Sequence, residues 1–302
     1  MHTILWIVFA FIIAAFLFAD LGYFNRKAHV VTNKSAIIQT IFWVVISIIY
    51  AGLIFVFIGH NEGAEFLSAY VTEKMLSVDN LFVIMLIFSF FKIRKEYHHR
   101  ILFWGILGAI VFRGVFIGLG SVVIEHFHWI LYFFGAFLVY TGIKLLTEKD
   151  EGEDNLEDKK TLKFIRKYFP FSYNDSGKFF VKENGKLCVT ILFVTLFMVE
   201  TTDIIFAVDS IPAAFSITQD PFIIFTSNMF AVMGLRALFF LVENVLQKFH
   251  LLQKGVSVVL LFIGTKMLLD IFHITISPIV SLIAILGALL GSLVLSVIFP
   301  KK

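Results

Sequence analysis

Nine stretches of this chain are each apolar for about the 20 residues that a helix needs to cross a bilayer. They run Ile4–Tyr23, Ala36–Gly59, Ala64–Phe91, Ile101–Ile124, Trp129–Leu146, Leu187–Pro212, Phe222–Val242, Leu251–Ile271 and Ser277–Phe299. No other feature restricts the fold as much. In hydrocarbon the backbone must satisfy its own hydrogen bonds, and a helix does so within one segment. The expected fold class is all-α: a polytopic membrane protein of nine transmembrane helices, with residues 1–302 forming a single membrane domain. Composition agrees. Only 16% of residues are charged, against about 25% in soluble domains, and 38 phenylalanines suit a lipid-facing surface. The first stretch is expected to be a span rather than a cleaved leader. No Lys or Arg precedes it, it has no clear small-x-small site, and it is long.

Basic residues supply the orientation. Arg26, Lys27 and Lys34 follow the first span, and Lys92, Arg94, Lys95 and Arg100 surround the third connection. Nine Lys and Arg lie between Lys149 and Lys186, Lys248 and Lys254 sit in the seventh connection, and Lys301 and Lys302 end the chain. The alternate connections, near Asn61, Glu125–His128, Gln219 and His273, hold none. With nine spans every basic connection falls on one side, so the N-terminus is expected outside and the C-terminus in the cytoplasm. The net charge of +3 thus has a topological use and does not point to nucleic acid. The single cysteine, Cys188, excludes an intrachain disulfide framework and reads as a small apolar filler. The long connection 147–186 starts acidic and turns basic, as a solvated cytoplasmic linker does. Its Phe169–Pro170–Phe171 and Phe179–Phe180 suggest that the second half packs back on the membrane domain. His60, His98, His99, His126, His128 and His273 are expected in connections.

The sixth span departs from simple hydrophobicity. Phe197–Ala214 reads F-M-V-E-T-T-D-I-I-F-A-V-D-S-I-P-A-A, which puts Glu200, Asp203 and Asp209 in one helix. Each carboxylate costs about 2.5–3.5 kcal/mol at the bilayer centre on insertion scales. Pro212 removes a backbone donor and crowds the carbonyl of Val208, so the helix is expected to break there and line an oxygen-rich cavity. On a regular helix Glu200 and Asp203 lie about 60° apart, but Asp203 and Asp209 about 120° apart. Unwinding near Ser210–Pro212, and pairing of some acids with in-span cations, are both expected. Lys74, Arg113, Lys144, Arg236 and Lys266 are the basic residues within spans or at their ends.

The third span carries a related pattern. E-K-M-L-S-V-D-N, Glu73–Asn80, aligns without a gap on D-I-I-F-A-V-D-S, Asp203–Ser210. Arg113 in the fourth span then matches Arg236 in the seventh, and Gly142–Leu146 in the fifth matches Gly264–Leu268 in the eighth. Two three-span repeats follow, 64–146 and 187–271, separated by the cytoplasmic loop 147–186. An odd number of spans inverts the second repeat against the first, and inverted repeats with a midplane site are a transporter design.

Carboxylate, amide and hydroxyl oxygens favour hard divalent cations. The candidate metal-binding residues are Asp79, Asn80, Glu200, Asp203, Asp209 and Ser210. Glu73, Arg113, Arg236 and Lys266 are the candidate charge-balancing residues, with Lys266 or an arginine filling the site when no ion is present. There is no thiolate pair or His-x-x-x-His for a soft metal, and no permanently bound cofactor is expected. Two other readings belong to different classes. One is a membrane assembly or metal-supply factor for exported proteins. The other is an intramembrane aspartyl protease built on Asp79 and Asp209, against which stand the shared V-D context, the surrounding charges and the lack of a Gly-x-Gly-Asp element.

The residues T-E-K-M-L-S-V-D-N-L-F and V-E-T-T-D-I-I-F-A-V-D-S-I-P-A-A-F-S-I-T resemble the TerC family of integral membrane proteins. Gly177–Lys186, G-K-F-F-V-K-E-N-G-K, is similar to the longer, Alx-type members. The likeness extends from about the third to the eighth span. It implies manganese efflux or manganese-dependent homeostasis, kinship with LysE-type exporters, and an acid set of Asp79, Glu200, Asp203 and Asp209. The expectation is a non-enzymatic exporter of a divalent cation in the bacterial cytoplasmic (inner) membrane, with Mn²⁺ as the transported ion. Its partners would be that cation and the lipid bilayer, with a homo-oligomer or exported-protein machinery as further candidates, and no nucleic acid.

Overall fold

A computed structural model of the chain describes residues 2–19, 32–119, 129–147, 170–172, 177–183, 185–215, 217–246, 251–272 and 274–298. Among these residues the chain forms α1 (His2–Ala19), α2 (Asn33–Phe57), α3 (His60–Phe90), α4 (Lys95–Leu119), α5 (Trp129–Thr147), α6 (Ile191–Phe215), α7 (Pro221–Leu246), α8 (Leu252–Leu269) and α9 (Pro278–Ile298). Each predicted span has its helix. Five are long and apolar enough to cross a membrane: α2, α4, α6, and the stretches Pro221–Glu243 and Lys254–Phe272. His2–Phe18 and Ile283–Ser296 are shorter apolar helices. The protein is a helical, polytopic membrane protein.

One element departs from the all-α expectation. Phe180–Glu183 (β1) and Lys186–Val189 (β2) form an antiparallel hairpin. The sixth span therefore begins at Ile191, not at Leu187. Leu187–Val189 is apolar enough to extend the hydrophobic run but pairs with β1, Val181 opposite Cys188. Glycine makes the turn at Gly185, where φ is +77°, a region that other residues rarely adopt. Val189 also bonds to Pro170 and Ser172 through its backbone. Arg100 donates to the carbonyl of Gly177 at 2.5 Å, and its guanidinium lies over the Phe179 ring. The second half of the long connection thus packs on the start of α4, as its aromatics suggested. The acidic stretch lies outside the described residues.

Helix starts follow local chemistry. Asp220 accepts from the backbone N–H of Phe222 at 2.8 Å just before Pro221, and Ser277 caps α9 just before Pro278. A polar cap followed by proline is favoured because the first turn has donors to spare. Inside the helices Ser47, Thr195 and Thr226 return their hydroxyl hydrogens to the carbonyl four residues back, which satisfies them without a partner helix.

Two apolar clusters make the core. In one, Phe9, Tyr50, Phe66 and Phe230 join α1, α2, α3 and α7, and the Tyr50 hydroxyl donates to the Leu5 carbonyl at 3.0 Å. The other runs along the second half of α3 through α4–α8 and reaches α9 at Ile285. Packing between the two matched sets is reciprocal: α3 lies on α7 as α6 lies on α4, and α3 meets α8 as α6 meets α5. α5 and α8 lie directly together, with glycine at the contact. A Cβ on Gly135 would stand 3.0 Å from the Gly264 carbonyl, and one on Gly142 would stand 3.0 Å from the Ser257 carbonyl. The alignment of Gly142 with Gly264, carried two helical turns back, aligns Gly135 with Ser257, so exchanging the sets turns one contact into the other. Small residues let helix backbones approach this closely in membranes.

Candidate functional site

Glu73, Asp79 and Asn80 come from α3, Arg113 from α4, Glu200, Asp203 and Ser210 from α6, Asn228 from α7 and Lys266 from α8. Arg113, only 2% exposed, joins four of these helices. Its Nε and Nη2 donate to the two oxygens of Asp203 at 3.1 and 2.9 Å. Its Nη1 donates to Glu73 Oε1 at 2.5 Å and to Asn228 Oδ1 at 2.6 Å. Such two-pronged pairing with a carboxylate needs the planar fork of arginine. Asn80 Nδ2 donates to Asp203 Oδ1 at 3.1 Å, and Ser77 Oγ to Glu73 Oε1 at 3.2 Å. One turn away, Lys266 Nζ donates to Asp79 Oδ2 at 3.2 Å. Asp79 and Lys266 are both largely buried.

The other in-span cations are arranged differently. Arg236 contacts His99 Nε2 through Nη2, its guanidinium lies over the Phe16 ring, and His99 stacks on Phe240. Since the guanidinium can only donate, this His99 nitrogen accepts, which fixes the tautomer. Lys74 donates to the Ala231 carbonyl at 2.9 Å and fits against α7 because residue 234 is glycine, where a Cβ would stand 2.5 Å from its Nζ.

Two cavities meet at this cluster. The larger is lined by Asn80, Glu200, Asp203, Arg236 and apolar residues of α3, α4, α6 and α7. The smaller is lined by Glu73, Ser77, Asp79, Asn80, Arg113 and Ser210, with Leu76 and Phe206. Asn80 borders both. The Asn80–Asp203–Arg113 contacts form the wall between them. Glu200 reaches the larger cavity because α4 has glycine opposite it: a Cβ on Gly108 would collide with the Glu200 carboxylate.

Several sequence expectations change. α6 does not break at Ser210–Pro212; it is helical to Phe215 with Pro212 inside it. Only one turn follows the proline, so its missing donor and its clash fall where the helix is about to end. Asp203 is bound to Arg113 and Glu200 lines the larger cavity; the side chain of Asp209 lies outside the described residues. Among the described residues no three His, Cys, Asp or Glu side chains form a ready metal-ligand set. His98 and His99 are not in a connection. They are buried in α4, with His98 Nδ1 2.8 Å from Glu243 Oε1 and its Nε2 3.0 Å from the Ile93 carbonyl. His60 opens α3, and His126, His128 and His273 lie outside the described residues. Sequence reasoning did not identify Asn228 or Gly108. An asparagine inside an apolar span was a usable signal for the first; the second shows only once its facing residue is known.

Comparison with known proteins agrees with the motifs. Residues 58–302 match the integral membrane protein TerC family. The chain is 44% identical over 295 residues to the membrane protein STKORF319 of Myxococcus xanthus, covering 97% of this chain and 92% of that one. It is 40% identical over 304 residues to Alx of Escherichia coli (strain K12), which is named as a candidate membrane-bound redox modulator, with 97% and 94% covered. A Rickettsia bellii membrane protein is 40% identical over 97% of each chain. No solved structure matches.

Proposed function

The chain belongs to the TerC family of integral membrane proteins, and from that premise we propose that it exports a divalent metal cation, Mn²⁺, across the bacterial cytoplasmic membrane. It acts as a carrier, not an enzyme. The observation that carries this reading is the position of the paired charges. Carboxylates of α3 and α6 meet Arg113 and Lys266 where two cavities approach from opposite sides. Buried ion pairs stabilise little relative to apolar packing, which leaves a functional reason for keeping them. With the N-terminus outside, the larger cavity lies toward the cytoplasm and the smaller toward the outside.

In this reading the observed arrangement is the ion-free state. Glu73 and Asp203 are neutralised by Arg113, and Asp79 by Lys266. An arriving cation displaces Lys266 from Asp79 and takes over the charge balance. Asn80, Ser210 and Asp209 add oxygens, and Glu200 receives the ion from the cytoplasmic cavity. Oxygen ligands suit Mn²⁺ and other hard cations. The reciprocal packing of α3–α5 on α6–α8 supports reading them as inverted repeats that move against each other in alternating access. The name of the Alx relative suggests redox chemistry, but a single cysteine offers this chain no dithiol.

The test is Mn²⁺ uptake into inverted membrane vesicles, where an exporter fills the lumen. Saturable uptake by the native chain, lost in Asp79→Asn and Asp209→Asn, is the expected result. Uptake no greater than in empty vesicles for Mn²⁺, Ca²⁺ and Zn²⁺ would overturn the proposal and favour an assembly or metal-supply role.

A further inference from the structure

We infer that the cargo passes through two separate cation sites in series, one on each side of the Asn80–Asp203–Arg113 wall, rather than through one shared midplane site. This rests on the transport reading above. It comes from how the unused acceptor oxygens are distributed. Glu200 Oε2 lies on the side of the larger cavity. Glu73 Oε2 and Ser210 Oγ lie on the side of the smaller one, in residues 3% and 4% exposed. Asn80 Oδ1 belongs to a residue that lines both. These four buried atoms have no hydrogen-bond partner among the described residues. A buried oxygen left without a donor is costly, so their grouping at two cavities calls for a ligand at each.

The wall itself argues against a single site. Arg113 makes four hydrogen bonds to three helices, two of them a fork on Asp203. A cation taking ligands from Glu200 and Ser210 together would have to replace that guanidinium. Two sites leave it in place. The inner site takes oxygens from Glu200 and Asn80, with Asp203 behind them. The outer site takes Glu73, Asp79 and Ser210. Neither surrounds the ion fully, which fits a small divalent cation that keeps part of its water shell and must leave again. The ion then steps past Arg113 as Asn80, which borders both cavities, passes it across.

The test counts bound metal on the full chain in lipid nanodiscs, titrating with Mn²⁺ and reading free Mn²⁺ by electron paramagnetic resonance. Two Mn²⁺ per chain are expected. Glu200→Gln should lose one and leave the other unchanged. Ser210→Ala should weaken only the other, by about tenfold. Gly108→Ala pushes the Glu200 carboxylate away without removing a charge, and should reproduce the Glu200→Gln loss in a folded protein. One Mn²⁺ per chain, weakened by all three substitutions, would overturn the two-site inference. If vesicle uptake by the native chain remained saturable, the transport reading would survive that result. Absence of both binding and uptake would remove both.

Discussion

Arg113 and Arg236 hold corresponding places in the two three-helix sets, and they have different surroundings. Arg113 is enclosed by two carboxylates and an amide drawn from α3, α6 and α7. Arg236 meets an imidazole and lies over the Phe16 ring at the edge of the larger cavity. Lys266 of the second set reaches Asp79 in the first. The backbone packing of the sets is reciprocal, while the partners of Arg113 and the His99 contact of Arg236 are of different kinds. A carrier built from matched halves would show this difference when caught facing one way, because exchanging the roles of the halves exchanges which side is open.

The difference can be tested by removing the cations one at a time. Arg113→Met should have the largest effect. It strips two buried carboxylates of their partner, and breaking such a pair costs about 3–5 kcal/mol. The expected outcome is little or no monodisperse protein by fluorescence-detected gel filtration. Recovery in the triple variant Arg113→Met/Glu73→Gln/Asp203→Asn would show that uncompensated charge was the cause. Lys266→Met should fall near the lower end of that range, since it frees one carboxylate and the lysine has some exposure. The protein should fold with a lowered thermal midpoint and lose saturable Mn²⁺ uptake. Arg236→Met removes a hydrogen bond from a charged donor to a neutral ring, a change of about 1.5–3 kcal/mol. If it destabilised the chain as much as Arg113→Met, the contrast between the two arginines would be wrong. The smallest effect is expected from Arg100→Ala, which removes one bond and one ring contact from the stretch Gly177–Phe179 that leads into the hairpin. That is a change of about 1 kcal/mol, read as a small drop in thermal midpoint with uptake retained.

Most of the helix pattern was legible because membrane-length apolar runs leave the backbone few alternatives. The errors lie where that rule meets a second one. Leu187–Val189 is as apolar as a span, but a turn at Gly185 lets it pair with β1 instead. His98 and His99 read as connection residues because they are polar. They are buried because Glu243, Ile93 and Arg236 supply their partners, and no local pattern announces that. Pro212 read as a break because its distance from the helix end was unknown. The acids and bases of the site were recognisable from their cost in an apolar run. Which acid takes which base depends on helix rotation and crossing, so the choice of Arg113 for Glu73 and Asp203, and of Lys266 for Asp79, appears only in three dimensions.

The hairpin has a mechanical consequence. β2 runs into α6 through Thr190 alone, and the Thr190 hydroxyl donates to the Lys178 carbonyl at 2.6 Å. Arg100 and Trp104 hold Gly177 and Phe179, which lead into the hairpin, against α4. The hairpin therefore couples the helices bearing Glu200 and Arg113 at one end. Pro170 and Ser172 are bonded to Val189, one residue before Thr190, so a pull on them is passed to the start of α6. A displacement of Pro170–Ser172 would thus act as a torque on the helix whose carboxylate lines the larger cavity.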